Sequence, residues 1–411
     1  MPDYRRNHYV PQWYQKRFLS KGQRFFYLDM RPDTVVTPTG HRYPRNSLHQ
    51  WGPNLCFYLD DLYTTRFGTL ESTEIEEKFF GKIDNAGRSA VEYFSSYNHD
   101  SVSYEALRTM LPYMSVQKLR TPKGLQYLSE IVRLNDKNQV LFALQEWQQM
   151  HCALWMECVW AVADASSSPT KFIVTDHPVT VYNKDCFPLS KWCKGCHDPA
   201  IWLTATHTLF PLDSNKILIL TNLSWVRNPY GNPVLKRPNP QLFRPAVFNY
   251  TQIQVGRQLA EQEVIEINYV LKKRAWRYIA AADKEWLYPE RRLRTQHWDR
   301  LGGGYLFMPD PREVSFSSEI LFGYDDKRVQ AFDAYGRRPW QQDYDKKEDH
   351  DREWETAEAF KGEFARLFGR KHRGRSNRFG DFYRGCGEDS PTMFESYLKA
   401  EHRHQKRRKK G

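Results

Sequence analysis

The sequence predicts an α+β fold in which a helical bundle packs on a small, mainly antiparallel sheet, followed by a looser C-terminal extension. In several long segments, apolar residues recur every three or four positions, as they do on one face of a helix. Shorter segments rich in β-branched and aromatic residues lie between turn signals, which is typical of strands. With 411 residues, of which 15% are aromatic, the chain can bury a large core.

The N-terminal third begins with strands and continues with helices. RFFYLDM (residues 24–30) and TVVTPTG (residues 34–40) are predicted strands joined by the turn signal RPD. Residues 70–94 are a predicted helix, because their apolar positions repeat with helical spacing. A further helix follows Ser103, a suitable N-cap, and Pro122 marks its end.

The central part combines one long helix with strands. We expect a helix over residues 138–165, which contain Trp147, Trp155 and Trp160. Residues 171–182 are predicted as strand, turn and strand, and residues 208–222 as a hairpin whose second half is a buried strand. The last segment of the body, residues 263–282, is a predicted helix with these apolar residues turned inward: Ile267, Val270, Leu271 and Trp276.

The composition changes near residue 283, which divides the chain into a domain over residues 1–282 and a charged, partly helical extension over residues 283–411. Within the extension, one amphipathic helix is predicted from these residues on one face: Trp354, Ala357, Phe360, Phe364 and Phe368. The chain ends in the basic run HQKRRKK (residues 404–410). The whole basic tail, HRHQKRRKKG (residues 402–411), is predicted to be disordered.

The formal net charge of +12 favours nucleic acid or an anionic surface as partner. Because part of the excess comes from the basic tail, we expect nucleic acid to bind through that tail. MPDYRRNHYV has no apolar core of a signal peptide, and no run approaches the roughly 18 apolar residues of a membrane span. These observations predict a cytoplasmic protein without membrane contact. The seven cysteines, an odd count, do not form a disulfide framework.

A cysteine-rich stretch, CFPLSKWCKGCHDP (residues 186–199), could hold zinc. Cys193 and Cys196 form a CxxC pair, His197 follows directly, and Cys186 precedes them. Thiolates at this spacing can share a tetrahedral zinc ion. CKGCH also matches the haem c attachment pattern, but covalent haem requires export, which the N-terminus does not predict. The remaining interpretation is a loop with free thiols.

Two further segments carry candidate site residues, and each has a structural alternative. In FIVTDHPV (residues 172–179), Asp176 lies where a strand ends, either as a catalytic group or as an Asx turn. In QKLRTP (residues 117–122), Gln117 and Arg120 share a helical face. Arg120 could clamp a phosphate or simply complement the negative end of the helix dipole.

HYVPQWYQKRF (residues 8–18) contains a histidine near a turn. Its HxxP pattern is similar to the start of His-metal-finger nucleases, in which a histidine activates water beside a metal. Such enzymes need a later asparagine and a metal-ligand histidine, which HQWGPNLCFY (residues 49–58) offers as His49 and Asn54. This nuclease resemblance is an alternative interpretation of His8.

Taken in order, the segments of residues 5–282 resemble the family catalogued as domain of unknown function 4238. The matching blocks are HYVPQWYQKRF, EIEEKF, QKLRTP, FIVTDHPV, LFPLDSNKILIL and NYVLKKRAWRYIAA. His177 stands where the family often has asparagine. The resemblance implies a shared polar set but no established reaction. That set comprises His8, Tyr9, Gln12, Glu76, Gln117, Arg120, Asp176 and Asn268.

From the residues and the resemblance together, we expect one polar cleft formed by His8, Gln12, Gln117, Arg120 and Asp176. A histidine, an arginine and a carboxylate suit acid–base chemistry on a phosphate-bearing substrate. The resulting hypothesis is a nucleic-acid-acting protein, such as a phosphodiester hydrolase. One alternative is a non-catalytic module that binds a phosphorylated ligand or a protein, the ligand itself being unidentified. Another is a buried hydrogen-bond network that fixes the fold.

Overall fold

The computed structural model describes these residues: 6–98, 102–193, 197–240, 242, 253–314, 319–323, 326–370, 373, 375–377, 395, 399, 402–403, 405–407 and 409. Its helices and antiparallel strands confirm the predicted α+β class.

The α-helices are α1 (Gln12–Gln15), α2 (Gly81–Ser95), α3 (Tyr104–Leu119), α4 (Pro122–Val132), α5 (Lys137–Glu146), α6 (Cys152–Met156), α7 (Leu223–Arg227), α8 (Glu261–Arg274) and α9 (Lys347–Phe368). A π-helix, Ile75–Phe80, runs directly into α2. Short 3₁₀ helices are Lys16–Phe18, Pro53–Leu55, Lys284–Leu287, Pro289–Arg291, Trp298–Gly304 and Pro311–Glu313.

The strands are β1 (Arg6–His8), β2 (Phe25–Asp29), β3 (Thr34–Val36), β4 (Arg42–Pro44), β5 (Leu48–Trp51), β6 (Tyr58–Asp60), β7 (Thr65–Phe67), β8 (Leu70–Ser72), β9 (Cys158–Asp164), β10 (Val174–Thr175), β11 (Thr180–Asn183), β12 (Thr206–Pro211), β13 (Lys216–Asn222), β14 (Ile253–Gln258), β15 (Tyr278–Ala281), β16 (Glu319–Gly323), β17 (Val329–Asp333) and β18 (Arg375–Asn377).

Two sheets organise the body of the protein. The larger sheet has the order β11-β12-β13-β9-β14-β18, and the smaller one has the order β10-β15-β2-β5. In the part of the chain that the structure describes, the β9–β14 pair is parallel and every other strand pair is antiparallel. The predicted hairpin over residues 208–222 is confirmed as β12–β13. Separate two-stranded ribbons are β1–β6, β3–β4, β7–β8 and β16–β17.

One hydrophobic core joins the helices to both sheets and continues beyond the predicted boundary at residue 282. Phe94 of α2 meets Trp160 of β9 with ring centroids 5.5 Å apart. Leu287, Trp298 and Phe307, which follow the boundary, belong to the same core. Residues 284–314 are therefore packed on the body rather than loosely attached to it.

The predicted helix over residues 138–165 is wrong in its second half. It divides into α5, α6 and the strand β9. β9 lies between β13 and β14 and is buried along almost its whole length. A strand buried on both faces has no alternating pattern, so its apolar run was indistinguishable from a buried helix.

The predicted helix over residues 263–282 is also too long. α8 ends at Arg274, and β15 begins at Tyr278. Trp276 lies between them, and its backbone N–H donates to the carboxylate of Asp176 at 2.7 Å. This long-range hydrogen bond holds the chain in an extended turn after the helix.

Two other segments differ in detail from the predictions. Residues 70–72 form β8, so the helical part of residues 70–94 starts in the π-helix. Ser103 caps α3 as predicted, because its hydroxyl accepts from the N–H of Ala106. Pro122 begins α4, whose N-cap is Thr121.

The C-terminal amphipathic helix is confirmed as α9, which packs through Phe360 and Phe364 on a second core beside α7. Trp354 does not belong to this face, because 61% of it is exposed. Residues 402–403 and 405–407 of the basic tail are helical, and Arg407 donates to Glu355 of α9. Among the described residues, no helix is both long enough and apolar enough to cross a bilayer.

Candidate functional site

Gln117 and Arg120 lie together, as their helical spacing predicts, but they are buried. The side-chain oxygen of Gln117 accepts from Nε and Nη2 of Arg120, and its amide donates to the carbonyl of Tyr9 at 2.9 Å. The guanidinium also pairs with Asp84 of α2 at 2.9 Å. Only 1% of Arg120 is exposed. This network therefore joins α2, α3 and the N-terminal segment rather than facing solvent.

Glu76 lies on the π-helix beside this network. Burial raises the pKa of the Glu76 carboxyl to about 7, while Arg120 acts to lower it and Asp84 to raise it. Oε2 of Glu76 is buried and has no hydrogen-bond partner among the described residues. Glu76 is thus a candidate proton-binding group.

Asp176 has a structural role. Its carboxylate accepts the backbone N–H groups of Trp276, Arg277 and Tyr278 at 2.6–2.7 Å. Burial raises the pKa of this carboxyl to about 6, although the three N–H donors lower it. Because 1% of Asp176 and 1% of Arg120 are exposed, the expected open cleft shared with His8 is not observed.

Asn268 and Tyr9, from the set carried over by resemblance, are also buried in the fold. The amide oxygen of Asn268 accepts from the N–H of Ile173 at 3.2 Å, and its amide nitrogen donates to the carbonyl of Lys171 at 2.8 Å. These bonds fix α8 to the segment before β10. Tyr9 is 1% exposed, with its ring edge towards Phe57.

His8 and Gln12 are separate from the buried network and partly exposed. Nε2 of His8 is 3.3 Å from the carbonyl oxygen of Asn54 and 3.4 Å from the amide nitrogen of Gln12. The Asn54 carbonyl only accepts and the Gln12 amide nitrogen only donates, so the two contacts require opposite tautomers of His8. The shorter contact with Asn54 favours the proton on Nε2, which leaves Nδ1 as the basic nitrogen. Partial burial lowers the pKa of His8, and nearby Arg6 lowers it further.

A cleft of about 320 Å³ lies next to His8, between the edge of the smaller sheet and the β1–β6 ribbon. Its aromatic walls include two stacked pairs: His49 on Trp51 with centroids 4.3 Å apart, and Tyr27 on Tyr278 with centroids 5.2 Å apart. Its charged lining residues are Asp29, Asp33, Arg45, Asp60 and Arg277. The cleft is therefore both ring-lined and charged.

The register of the β1–β6 ribbon places His8 on the same face as two lining residues. His8 pairs with Tyr58, and Arg6 pairs with Asp60. Because directly opposed strand residues point to the same side, all four side chains share one face. Consistent with this, the rings of His8 and Tyr58 are 5.7 Å apart, and the guanidinium of Arg6 lies 4.5 Å from the Tyr58 ring.

The cations at the cleft differ in how they are paired. Arg277 is held by Asp29 at 2.8 Å and by Asp33 at 3.1 Å. The guanidinium of Arg45 is exposed and forms no hydrogen bond or ion pair with any described residue. Arg45 follows the β3–β4 hairpin, and residues 31–49 contain three arginines against one aspartate. The charged lining of the cleft comprises three aspartates and two arginines, so the positive feature of the rim is the unpaired guanidinium of Arg45 and not the net charge.

A second polar cluster, the lysine cluster, was not predicted from the sequence. It consists of Lys118, Lys123, His177 and Asp198. Lys118 of α3 contacts Nε2 of His177 at 3.1 Å and donates to Asp198, which also accepts from Lys123 at 2.7 Å. Thr121 contacts Nδ1 of His177 at 2.9 Å. Burial lowers the pKa of His177 to about 3, with Lys118 adding to this, whereas the two lysines hold the pKa of Asp198 well below its usual range despite burial.

The cysteine-rich stretch does not reveal a metal site in its described residues. Cys186 and Cys193 are buried free thiols, and Arg274 donates to Sγ of Cys193 at 3.1 Å. Nε2 of His197 donates to the carboxylate of Glu130 at 2.9 Å. Cys196 lies outside the described residues, so the zinc hypothesis stays a prediction. No cluster of three or more potential metal ligands occurs in the described ranges.

No protein-family model, curated protein or solved structure matches this chain. The resemblance to the domain of unknown function 4238 family therefore stays a prediction.

Proposed function

We propose that this protein binds single-stranded nucleic acid in the cleft beside the β1–β6 ribbon. One observation carries the proposal: the unpaired guanidinium of Arg45 borders a cleft whose walls are stacked aromatic rings. Single-stranded nucleic acid needs these two features together, because bases stack on rings while phosphates pair with cations.

The size of the cleft and the exposed arginine at its rim support this class of ligand. A volume of about 320 Å³ falls within the range of small-ligand pockets and is adequate for one or two stacked bases. Arg277 pairs with both Asp29 and Asp33 and offsets one of their two negative charges, so they repel a phosphate less than two free carboxylates would. Arg42, the first residue of β4, and Arg45, which follows β4, are both exposed and can pair with the phosphates of a nucleic acid that extends beyond the cleft.

The test is the binding of short fluorescein-labelled single-stranded RNA and DNA, followed by anisotropy over a series of salt concentrations. Arg45→Ala is expected to weaken binding and to reduce the salt slope by about 0.7, the value for one phosphate contact on a single strand. Tyr58→Leu is expected to cost about 1–3 kcal/mol if a base stacks there. Arg108→Ala, an exposed arginine of α3 outside the cleft, is the matched control.

Equal affinity for the wild type, Arg45→Ala and Tyr58→Leu would overturn the proposal. A loss that is the same for Arg108→Ala and Arg45→Ala would mean that only net charge matters. Circular dichroism of each variant separates lost binding from lost folding.

A second candidate function, phosphodiester hydrolysis, rests on His8. Its ring shares a face with Tyr58 at the cleft, its lowered pKa keeps it neutral near pH 7, and Nδ1 forms no hydrogen bond with the described residues. A neutral imidazole with a free basic nitrogen can accept a proton from an attacking water. His8 is therefore the residue on which cleavage would depend.

Cleavage is measured with the same oligonucleotides, with and without added divalent cations. His8→Ala is expected to lower the cleavage rate by about 100-fold or more while leaving affinity nearly unchanged. His41→Ala, an exposed histidine of the hairpin connection, is the control. If the folded wild type binds but does not cleave, hydrolysis is rejected and binding alone remains.

A further inference from the structure

The lysine cluster lines a small cavity that is separate from the cleft beside the β1–β6 ribbon. Its volume is about 20 Å³, which is room for at least one water molecule or a small ion. Polar lining groups come from several segments: Lys118, Lys123, Tyr127, His151, His177, His197 and Asp198. These residues come from α3, α4, the turn before α6, the turn after β10 and the loop before β12. Because Nε2 of His197 donates to Glu130, its buried Nδ1, which has no partner among the described residues, is an acceptor in the neutral ring.

Positive charge exceeds negative charge at this cavity. Lys118 and Lys123 share a single carboxylate, Asp198. His177 and His151 are neutral, since burial lowers the pKa of each to about 3. Two further charges act on the lysines and have opposite signs: the Asp176 carboxylate, on which Lys123 acts to lower the pKa, and the Arg274 guanidinium, which acts to lower the pKa of Lys118. One ammonium charge at the cavity is therefore left without a counter-ion.

Two N–H donors at the cavity also lack acceptors. Nζ of Lys123 donates to Asp198 at 2.7 Å and to the carbonyl of Arg274 at 2.7 Å, which leaves its third N–H unused by the described residues. His151 is 2% exposed, and only its Nδ1 is bonded, to Oγ of Ser115 at 3.1 Å. Nε2 of His151 has no hydrogen-bond partner among the described residues.

The tautomer of His151 follows from counting buried donors. If the Ser115 hydroxyl donates to Nδ1, the ring proton is on Nε2, and only that one N–H needs a partner. The opposite tautomer would leave both the hydroxyl proton and Nε2 unpaired, which costs more free energy in a buried site. Nε2–H of His151 is thus a second donor at the cavity.

We infer that the cavity lined by Lys118, Lys123 and His151 binds a small monovalent anion of the size of chloride. The anion accepts from Nζ of Lys123 and from Nε2 of His151, and it balances the ammonium charge that Asp198 leaves uncompensated. Both unpaired donors would then be satisfied, as buried polar groups generally are.

A bound anion would also reduce the electrostatic repulsion between Lys118 and Lys123. Burial lowers the pKa of Lys118, and repulsion from Lys123 adds to this effect. A negative charge in the cavity, which both lysines line, offsets that repulsion. Binding should therefore stabilise the folded chain, because a ligand that prefers the folded state raises its stability.

The test compares thermal unfolding of the full chain in sodium chloride and sodium gluconate at equal ionic strength. The wild type is expected to show a saturable rise in unfolding temperature with chloride and with bromide. His151→Phe, which retains a ring against Trp155 but removes Nε2–H, is expected to weaken chloride binding about tenfold. His207→Phe, a buried histidine bonded to Thr221 outside this cavity, is the matched control.

Bromide located by anomalous diffraction in wild-type crystals provides a second readout that does not depend on a variant folding. A bromide peak within hydrogen-bond distance of Nζ of Lys123 and Nε2 of His151 is expected. Identical unfolding in chloride and gluconate, together with no such peak, would overturn the inference. A His151→Phe protein with unchanged chloride affinity, or a response to phosphate without one to chloride, would overturn it as well.

Discussion

The side-chain oxygen of Gln117 accepts from Nε of Arg120 at 2.9 Å, and Nη2 of the same guanidinium binds the same oxygen. The amide of Gln117 donates to the carbonyl of Tyr9, and Arg120 pairs with Asp84. Two residues expected to act on a substrate are thus used to connect three parts of the fold. Buried polar networks of this kind rigidify a structure when all members are satisfied.

Arg120→Leu should destabilise the protein strongly. It leaves Gln117 and Asp84 without their charged partner, and breaking a buried ion pair costs about 3–5 kcal/mol of unfolding free energy. Chemical denaturation measures the change. Arg88→Leu, which breaks the exposed pair between Arg88 and Glu92 on α2, should cost less than about 1 kcal/mol. An Arg120→Leu protein as stable as Arg88→Leu would contradict the structural role.

Asp176→Asn should also act on stability rather than on ligand binding. One carboxylate oxygen becomes an amide that faces backbone N–H donors, so at least one of the three hydrogen bonds is lost. The expected cost is about 1–3 kcal/mol. Asp283→Asn is the control, because the Asp283 side chain accepts from Glu285 in an exposed 3₁₀ cap. Reduced oligonucleotide affinity in the folded Asp176→Asn protein would contradict this assignment.

His207 should make the protein less stable in acid. Burial lowers its pKa from 6.5 to about 3. The unfolded chain therefore binds a proton between these pH values when the folded one does not, and stability falls as pH decreases below 6.5. At pH 5, protonation of His207 in the unfolded chain lowers the free energy of unfolding by about 2 kcal/mol.

The measurement is denaturation at pH 7 and pH 5 for the wild type and His207→Gln. The variant should lose less stability between these pH values than the wild type. His41→Gln, which changes an exposed histidine, should keep the wild-type dependence. The same pH dependence in His207→Gln and the wild type would show that His207 is accessible to protons in the folded state.

The local parts of the fold could be predicted from the sequence, and the long-range parts could not. The Ser103 cap, the β12–β13 hairpin and the periodicity of α9 depend on neighbouring residues, which a pattern records. The strand β9 was mistaken for helix because its role depends on β13 and β14, which lie far away in the chain.

The candidate site shows the same division. Gln117 and Arg120 were expected to meet because they are three residues apart. The pairing of Lys118 with Asp198 joins residues 80 positions apart, and no local motif indicates it. A useful signal was His177, which stands where the resembling family often has asparagine and which contacts Lys118.

Deleting residues 402–411 should weaken nonspecific nucleic-acid binding without abolishing binding at the cleft. Each tail lysine or arginine that contacts a phosphate contributes to the salt dependence, so the salt slope should decrease with the deletion. Anisotropy at low salt measures the effect. Unchanged affinity and slope at low salt would show that the tail does not contact nucleic acid.

The most direct test of the account is photocrosslinking of a short single-stranded oligonucleotide containing 4-thiouracil, followed by mass spectrometry of the crosslinked peptides. Crosslinks to Trp51, Tyr58 or Tyr278 are predicted, and Arg45→Ala should reduce them more than Arg108→Ala. Crosslinks confined to the basic tail, or none in the wild type under binding conditions, would contradict nucleic-acid binding in the cleft.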